Sequence, residues 1–274
     1  MLIAFVGTGN MGSALLAGIL AAGQDAGQVR ATTRSAESAA ALGSRLGVPT
    51  TAVADDPQAN RSAVDGADLV FLGVKPWMLA ETASELDGAL KDTATVVSMA
   101  AGVDLATLTA HFPHRPVVRI MPNTPSSVGH GVISLAAADE VPSATLDELT
   151  SLLGGAGQVI PISEEDMPTM IGTSASGVAF FFLLAEHMVA AAVSQGLDEE
   201  TAKRAVAATA EGAGRLLTDS PDPAALRAAV SSAGGTTAAG IASFAEDGMD
   251  EIVARAVRAA GDRSLEMEAE NREG

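Results

Sequence analysis

The chain has 274 residues, 47% of them hydrophobic, enough to bury a sizeable core in one large domain or two ordinary ones. Its net charge of -18 repels phosphate backbones and anionic lipid headgroups, which argues against nucleic acid and membrane surfaces as partners. With no cysteine, disulfides and thiolate chemistry are excluded.

The apolar start Met1–Val6 runs directly into glycine with no cationic stretch before it, so it reads as a strand and not as a signal peptide; a cytoplasmic location is expected. Further runs of apolar and β-branched residues at Val29–Thr33, Leu69–Val74, Thr95–Met99, Val117–Met121, Val132–Leu135 and Val159–Ile162 predict strands buried on both faces. Helical stretches such as Met11–Ala22 and Glu37–Leu46 lie between them. This is the pattern of a doubly wound, parallel α/β sheet of the Rossmann type with crossover helices. After Ile162 alanine dominates. Pro168–Gly196 predicts one long helix, and Asp198-Glu199-Glu200 opens another that runs to about Leu217. Pro221-Asp222-Pro223 breaks the chain and starts a short helix to Val230. Ser231–Gly235 is a loop, Thr236–Glu246 and Met249–Glu270 are helices, and the polar Glu268–Gly274 is expected to fray. An α/β domain at 1–162 is therefore expected to precede an all-helical domain at 163–274. Ile171–Val193 is apolar enough for a membrane span, but Glu186 and His187 inside it favour a buried helix of a soluble protein. Apolar on nearly every face, it predicts an obligate dimer.

The chemistry begins at Gly7-Thr8-Gly9-Asn10-Met11-Gly12. The segment follows a strand, opens an amphipathic helix and precedes a second strand, a unit of roughly 30 residues as dinucleotide sites require. Gly7 makes the tight turn, Gly9 lets the backbone approach a pyrophosphate, and Gly12 lets helix and strand pack closely. The helix N-terminus presents free N–H groups and partial positive charge to the phosphates. The second strand ends in Thr33-Arg34-Ser35, where an NAD site would carry an acid. Arg34 can pair with a 2′-phosphate, and Thr33 and Ser35 can donate to it, so NADPH is expected over NADH. Val74-Lys75-Pro76 and Ser98–Val103 follow later strands, at the strand ends where such ligands lie. The small residues Ala100–Gly102 would let a flat ring reach the backbone.

Three further segments carry a resemblance: Arg119–Pro125 (Arg-Ile-Met-Pro-Asn-Thr-Pro), Ser174–Phe181, and Val230–Gly240 with its Gly234-Gly235-Thr236-Thr237. In this order and spacing, together with the Lys75-Pro76 and Ser98–Val103 turns, the chain resembles the pyrroline-5-carboxylate reductase family from Ile3 to about Gly248. The resemblance implies NAD(P)H-dependent reduction of a cyclic imine to L-proline. It also implies a Rossmann domain followed by interleaving helices of a dimer, decamers of five dimers, and an active site shared between subunits. Further, it implies that Gly9, Asn10 and Met11 touch the pyrophosphate, and that Val74, Lys75, Pro76, Ala100 and Asn123 border the cofactor towards the nicotinamide. By the same resemblance, Ser232, Gly235, Thr236 and Thr237 hold the substrate. Two places depart from the family pattern: Val178 and Phe180 stand for its proline and tyrosine, and Ala233 stands for a proline.

No Ser–His–Asp set, carboxylate pair or metal cluster is evident, and no metal is expected. His111 and His114 read as solvated loop residues. Imine reduction tolerates the lack of a strong acid, because a protonated iminium is already electrophilic; catalysis is then positioning and charge management. The substrate carboxylate suits the glycines before the Thr236 helix, where free N–H groups converge, with the Thr237 hydroxyl at the ring nitrogen as the catalytic contact. A hydroxyacid dehydrogenase would need a lysine on the long helix, and none lies between Ile162 and Thr201. A reductase of another cyclic imine and a catalytically silent dinucleotide sensor remain as alternatives.

Overall fold

The computed structural model describes residues 1–273. The sheet-bearing part runs β1 (Ile3–Val6), α1 (Asn10–Ala21), β2 (Val29–Thr33), α2 (Ala36–Leu46), β3 (Thr50–Ala52), α3 (Ala59–Val64), β4 (Leu69–Leu72) and α4 (Leu79–Leu86). It continues through β5 (Thr95–Ser98), α5 (Leu105–His111), β6 (Val117–Pro122), β7 (Gly131–Ala137), α6 (Ser143–Leu153) and β8 (Gly157–Pro161). The helical part comprises α7 (Met167–Met170), α8 (Gly177–Ser194), α9 (Glu199–Asp219), α10 (Pro223–Ala229), α11 (Thr236–Glu246) and α12 (Met249–Glu273). Between α7 and α8 the turn Ile171–Ala175 is a π-helix.

The eight strands form one sheet in the order β3-β2-β1-β4-β5-β6-β7-β8. All neighbouring pairs are parallel except β6 with β7. The sequence predicted parallel strands throughout. The exception follows from the connection: residues 123–130 hold only a short 3-10 turn, too little for a crossover, so the chain returns antiparallel. The Thr50–Ala52 strand was not anticipated. It is three residues long and exists by pairing with β2 at the sheet edge. His111, expected in a loop, closes α5.

Residue alternation builds two cores. Ile3 and Phe5 of β1, with Leu69 and Phe71 of β4, face α1 and α6 through Leu15, Leu16, Ile19, Leu149 and Leu153. Ala4 and Val6, with Val70 and Leu72, face Leu79, Leu86, Leu108 and Phe112 on the other side. Phe5 and Phe71 stack with ring centroids 4.5 Å apart. The close helix packing expected of Gly12 is made six residues later, at Gly18. A Cβ on Gly12 would find ordinary contacts, the nearest at 3.5 Å, whereas one on Gly18 would collide with Ala156.

Packing divides the chain into Met1–Ala175 with Ala259–Gly274, and Ser176–Arg258. The first unit extends past the expected division at 162/163, because Met167 and Ile171 bury against Met121 and Ala136. It also recovers the end of α12, which does not fray as the sequence suggested. Glu268 is buried and pairs with Arg119 at 2.8 Å, and Asn271 Nδ2 donates to the Gly102 carbonyl at 2.7 Å. Gly274, the last residue of that expectation, lies outside the described residues. The second unit has almost no core of its own: among residues 176–258 only Gly177 and Ala202 are buried. On α8, Phe181 and Phe182 are 69% and 65% exposed. The continuous helix Glu164–Ser194 is long and apolar enough to cross a membrane by length and composition alone. The expectation that this helix is buried is thus not met within one chain.

Candidate active site

The strand order reverses at β1 and β4, which opens a crevice at their carboxyl ends. The β1–α1 loop lies there. Gly7 has φ +74°, and a Cβ on it would stand 2.9 Å from Val74 Cγ1; both features demand glycine. The loop is tied down from below: Gly7 N–H donates to Thr32 Oγ1 at 3.1 Å, and Thr8 N–H donates to the Thr32 carbonyl at 2.7 Å. Thr32 Oγ1 in turn donates to Asn60 Oδ1 at 2.7 Å, and Asn60 Nδ2 donates to Glu85 at 3.0 Å. Above the loop there is room, since nothing lies within 4 Å of where a Gly9 Cβ would be. Helix α1 begins at Asn10 with no side-chain cap and no acid in its first turn, so its opening N–H groups and positive end are uncompensated. This is a cradle that a dinucleotide pyrophosphate fits.

At the end of β2, Thr33 is buried and its hydroxyl donates to the Ser35 carbonyl at 3.1 Å. Ser35 caps α2, accepting from Ser38 N–H at 3.3 Å. Arg34 is exposed and forms no ion pair among the described residues. Of the three residues expected to meet a 2′-phosphate, only Arg34 has its side chain uncommitted. An open pocket of about 340 Å³ lies between the start of α1 and α2, lined by Thr8, Gly9, Asn10, Ser13, Ser38 and Arg45 among others. The sequence reading missed Ser13, Ser38 and Arg45, along with the Thr32–Asn60 anchor. Arg45, whose guanidinium donates to the Ser13 hydroxyl, is eleven residues beyond Arg34 and carries no motif.

Beyond β4, Val74 packs on Gly7, Lys75 is exposed and Pro76 opens a short 3-10 turn. Beyond β5, Ala100 is buried and its N–H donates to Ser98 Oγ at 3.2 Å. Gly102 has φ +70°, but its missing Cβ faces Met267 and Asn271 of α12 and not open space. Its smallness serves that packing, contrary to the ring-approach reason inferred from sequence. Asn123 is buried, and both ends of its amide are engaged. Oδ1 accepts from Val132 N–H at 2.8 Å and Nδ2 donates to the Ser174 carbonyl at 3.3 Å, fixing the π-helical turn to the end of β6.

In the helical unit, Gly234 has φ +72° and Gly235 N–H donates to the Ser232 carbonyl at 3.0 Å. A Cβ on Gly235 would stand 2.6 Å from Ser232 Oγ. Gly235 is the N-cap of α11, with no side-chain cap and no acid in the first turn. Thr236 and Thr237 are exposed, and neither hydroxyl has a hydrogen-bond partner among the described residues. Thr237 is therefore not a helix cap, and this helix start is open to an anion.

Sheet order, glycine loop and uncompensated α1 terminus define a dinucleotide-binding oxidoreductase of the Rossmann type. Residues 164–267 match the family model described as pyrroline-5-carboxylate reductase dimerisation. The chain belongs to the pyrroline-5-carboxylate reductase family: it is 37% identical to the reductase of Corynebacterium melassecola, over 97% of this chain and 98% of that one. A second relative, from Pseudomonas aeruginosa, is 38% identical over 97% and 96%. Residues 2–102 match the model described as NADP oxidoreductase, coenzyme F420-dependent. Among solved structures, a pyrroline-5-carboxylate reductase from Coxiella burnetii superposes with a TM-score of 0.90 at 33% identity, covering 97% of both chains. A pyrroline carboxylate reductase from Plasmodium falciparum, solved with NADP bound, gives 0.83 at 25% identity, covering 98% of both. The chain is accordingly an oxidoreductase that works with a nicotinamide dinucleotide on a small molecule. It is a homo-oligomer, and the residues matched by the dimerisation model include α8.

Proposed function

We propose that this chain reduces 1-pyrroline-5-carboxylate to L-proline with hydride from NADPH, the last step of proline biosynthesis. The observation that carries the reading is the open start of α11, with an uncapped N-terminus and an uncommitted Thr237 hydroxyl on a chain related to the family over its whole length. The N–H groups of Thr236 and Thr237 hold the substrate carboxylate at the positive end of α11, with Ser232 and Gly235 shaping the turn. The Thr237 hydroxyl orients the ring nitrogen. When bound, the nicotinamide supplies the hydride that adds to the ring carbon beside that nitrogen, and the resulting amine keeps the proton of the iminium.

Gly7 and Gly12 shape the cofactor loop, and Gly9, Asn10 and Met11 offer backbone to the pyrophosphate. Arg34, beside Thr33 and Ser35, selects NADPH over NADH by pairing with the 2′-phosphate. Val74, Lys75, Pro76, Ala100 and Asn123 border the nicotinamide half, and the Asn123 amide also holds backbone in place there. Residues 1–162, with the returning end of α12, serve the cofactor, and the rest of 163–274 serves substrate and dimerisation. Dimers seat on α8, five of them make a decamer, and the enzyme works in the cytoplasm, bound to neither nucleic acid nor membrane.

A reductase of another cyclic imine is the second reading, favoured by Val178, Phe180 and Ala233, where the chain departs from the family pattern. NADPH oxidation measured with pyrroline-5-carboxylate and with two other cyclic imines, one lacking the carboxylate and one with a six-membered ring, separates the readings. The highest kcat/KM is expected with pyrroline-5-carboxylate. Faster turnover of either alternative overturns the assignment.

A further inference from the structure

The turn after β5 is held from an unexpected quarter. Gly102 is buried at φ +70°, and a Cβ on it would stand 2.8 Å from Asn271 Nδ2 and 2.9 Å from Met267 Cβ, so turn and helix are in close apposition. Asn271 Nδ2 donates to the Gly102 carbonyl at 2.7 Å across 169 residues of sequence. The next residue, Arg272, pairs with Asp104, the N-cap of α5 that also accepts from Thr107 N–H at 2.8 Å. Burial pushes the Asp104 carboxyl up, but hydrogen bonds from Thr107 and Arg272 outweigh it and hold the group below the ordinary carboxylate range.

One turn earlier on α12, Glu268 pairs with Arg119 at 2.8 Å. Arg119 is 1% exposed in the middle of β6 and pairs also with Glu164 at 2.7 Å. Glu164 Oε1 accepts from Leu105 N–H at 3.2 Å, the residue after Asp104. The contacts close a ring: α12 to the turn, the turn to Glu164, Glu164 to Arg119, and Arg119 back to α12. Two carboxylates on one buried arginine are a costly arrangement unless all three are held in place. Within this ring the turn has little freedom, while Ala101 at its tip stays exposed.

We propose that Met267–Arg272 of α12 form a clamp that sets the Ala100–Gly102 turn in the shape the nicotinamide half of the cofactor needs, with Asn271 and Arg272 as positioning residues. The proposal rests on the reading that this turn borders the nicotinamide. A binding loop ordered in advance spares the ligand the cost of ordering it, so losing the clamp weakens binding without removing any ligand contact.

The test uses the full-length protein carrying Asn271→Ala with Arg272→Ala, and a separate Arg272→Lys variant that keeps the charge. Dissociation constants are measured for NADPH and for adenosine 2′,5′-bisphosphate, which reaches only the glycine-loop half. In the double variant the NADPH constant should rise on the order of tenfold, the scale of a misplaced positioning group, while the bisphosphate constant stays within about twofold. Arg272→Lys should recover part of the loss. Unchanged NADPH binding overturns the clamp. So does an equal weakening of both ligands with a fall in Tm, which would mark plain structural support. Ala101→Phe, at the exposed tip, probes the underlying reading. It should weaken NADPH and spare the bisphosphate, and if NADPH binding is untouched the turn does not border the cofactor and the clamp falls with it.

Discussion

Replacing Thr32 with valine tests how the cofactor loop is held. Thr32 is 0% exposed, and its hydroxyl both accepts from Gly7 N–H at 3.1 Å and donates to Asn60 Oδ1 at 2.7 Å. Valine has the same shape, so Thr32→Val opens no cavity and leaves the Gly7 donor and the Asn60 acceptor without their partner. An unmet buried polar group costs about 1–3 kcal/mol, and Gly7 is only half-buried, so the pair together costs about 3 kcal/mol. The added buried methyl returns about 0.8 kcal/mol, for a net loss of about 2 kcal/mol. In a chain of this size that lowers Tm by roughly 3–4 °C. Thermal unfolding must be compared at one protein concentration, since the stability of an oligomer depends on it. NADPH binding should weaken as well, on the order of tenfold if about 1.4 kcal/mol is needed to restore the loop. Thr33→Val is the control: that hydroxyl reaches only the Ser35 carbonyl and should leave NADPH binding within about twofold, as no loop contact depends on it. A Thr32→Val protein with unchanged Tm and unchanged NADPH affinity would refute the anchor.

Arg34→Asp should raise the Michaelis constant for NADPH far more than that for NADH, by the equivalent of roughly 1–3 kcal/mol, and equal rises would show that Arg34 does not select the cofactor. Thr237→Val keeps the backbone N–H groups and removes the hydroxyl. It should lower kcat on the order of tenfold to a thousandfold with NADPH affinity unchanged, and normal turnover would leave the hydroxyl without a role. Phe181→Asp together with Phe182→Asp puts charges on the apolar face of α8, which is bare in the single chain. Monomers or aggregates are expected by sedimentation, and an intact active dimer would move the interface elsewhere.

What could be read from the amino-acid order alone is what short stretches decide for themselves. Four or more contiguous apolar residues made β1 and β4 legible, the β-branched run Thr95-Val96-Val97 did so for β5, and a glycine hexapeptide between strand and helix marked the cofactor loop. The start of α11 at Thr236 follows from the two glycines before it, and that of α10 from Pro223. Each rests on interactions spanning a few residues, which a sequence displays directly. The tertiary structure alone decided the rest. β3 is a strand only because β2 lies beside it. Gly18, not Gly12, carries the tight helix packing because Ala156 of a distant loop meets it there. Thr32 anchors Gly7 through a partner 28 residues away, and Gly102 is glycine because α12 returns across 169 residues to touch it. The polar end of α12 looked free to fray, yet it is fixed, since Arg119 buries its charge against Glu268 and Asn271 meets a carbonyl of the β5 turn. These contacts leave no local pattern, because a hydrogen bond or a buried ion pair depends on distance in space and not on separation along the chain.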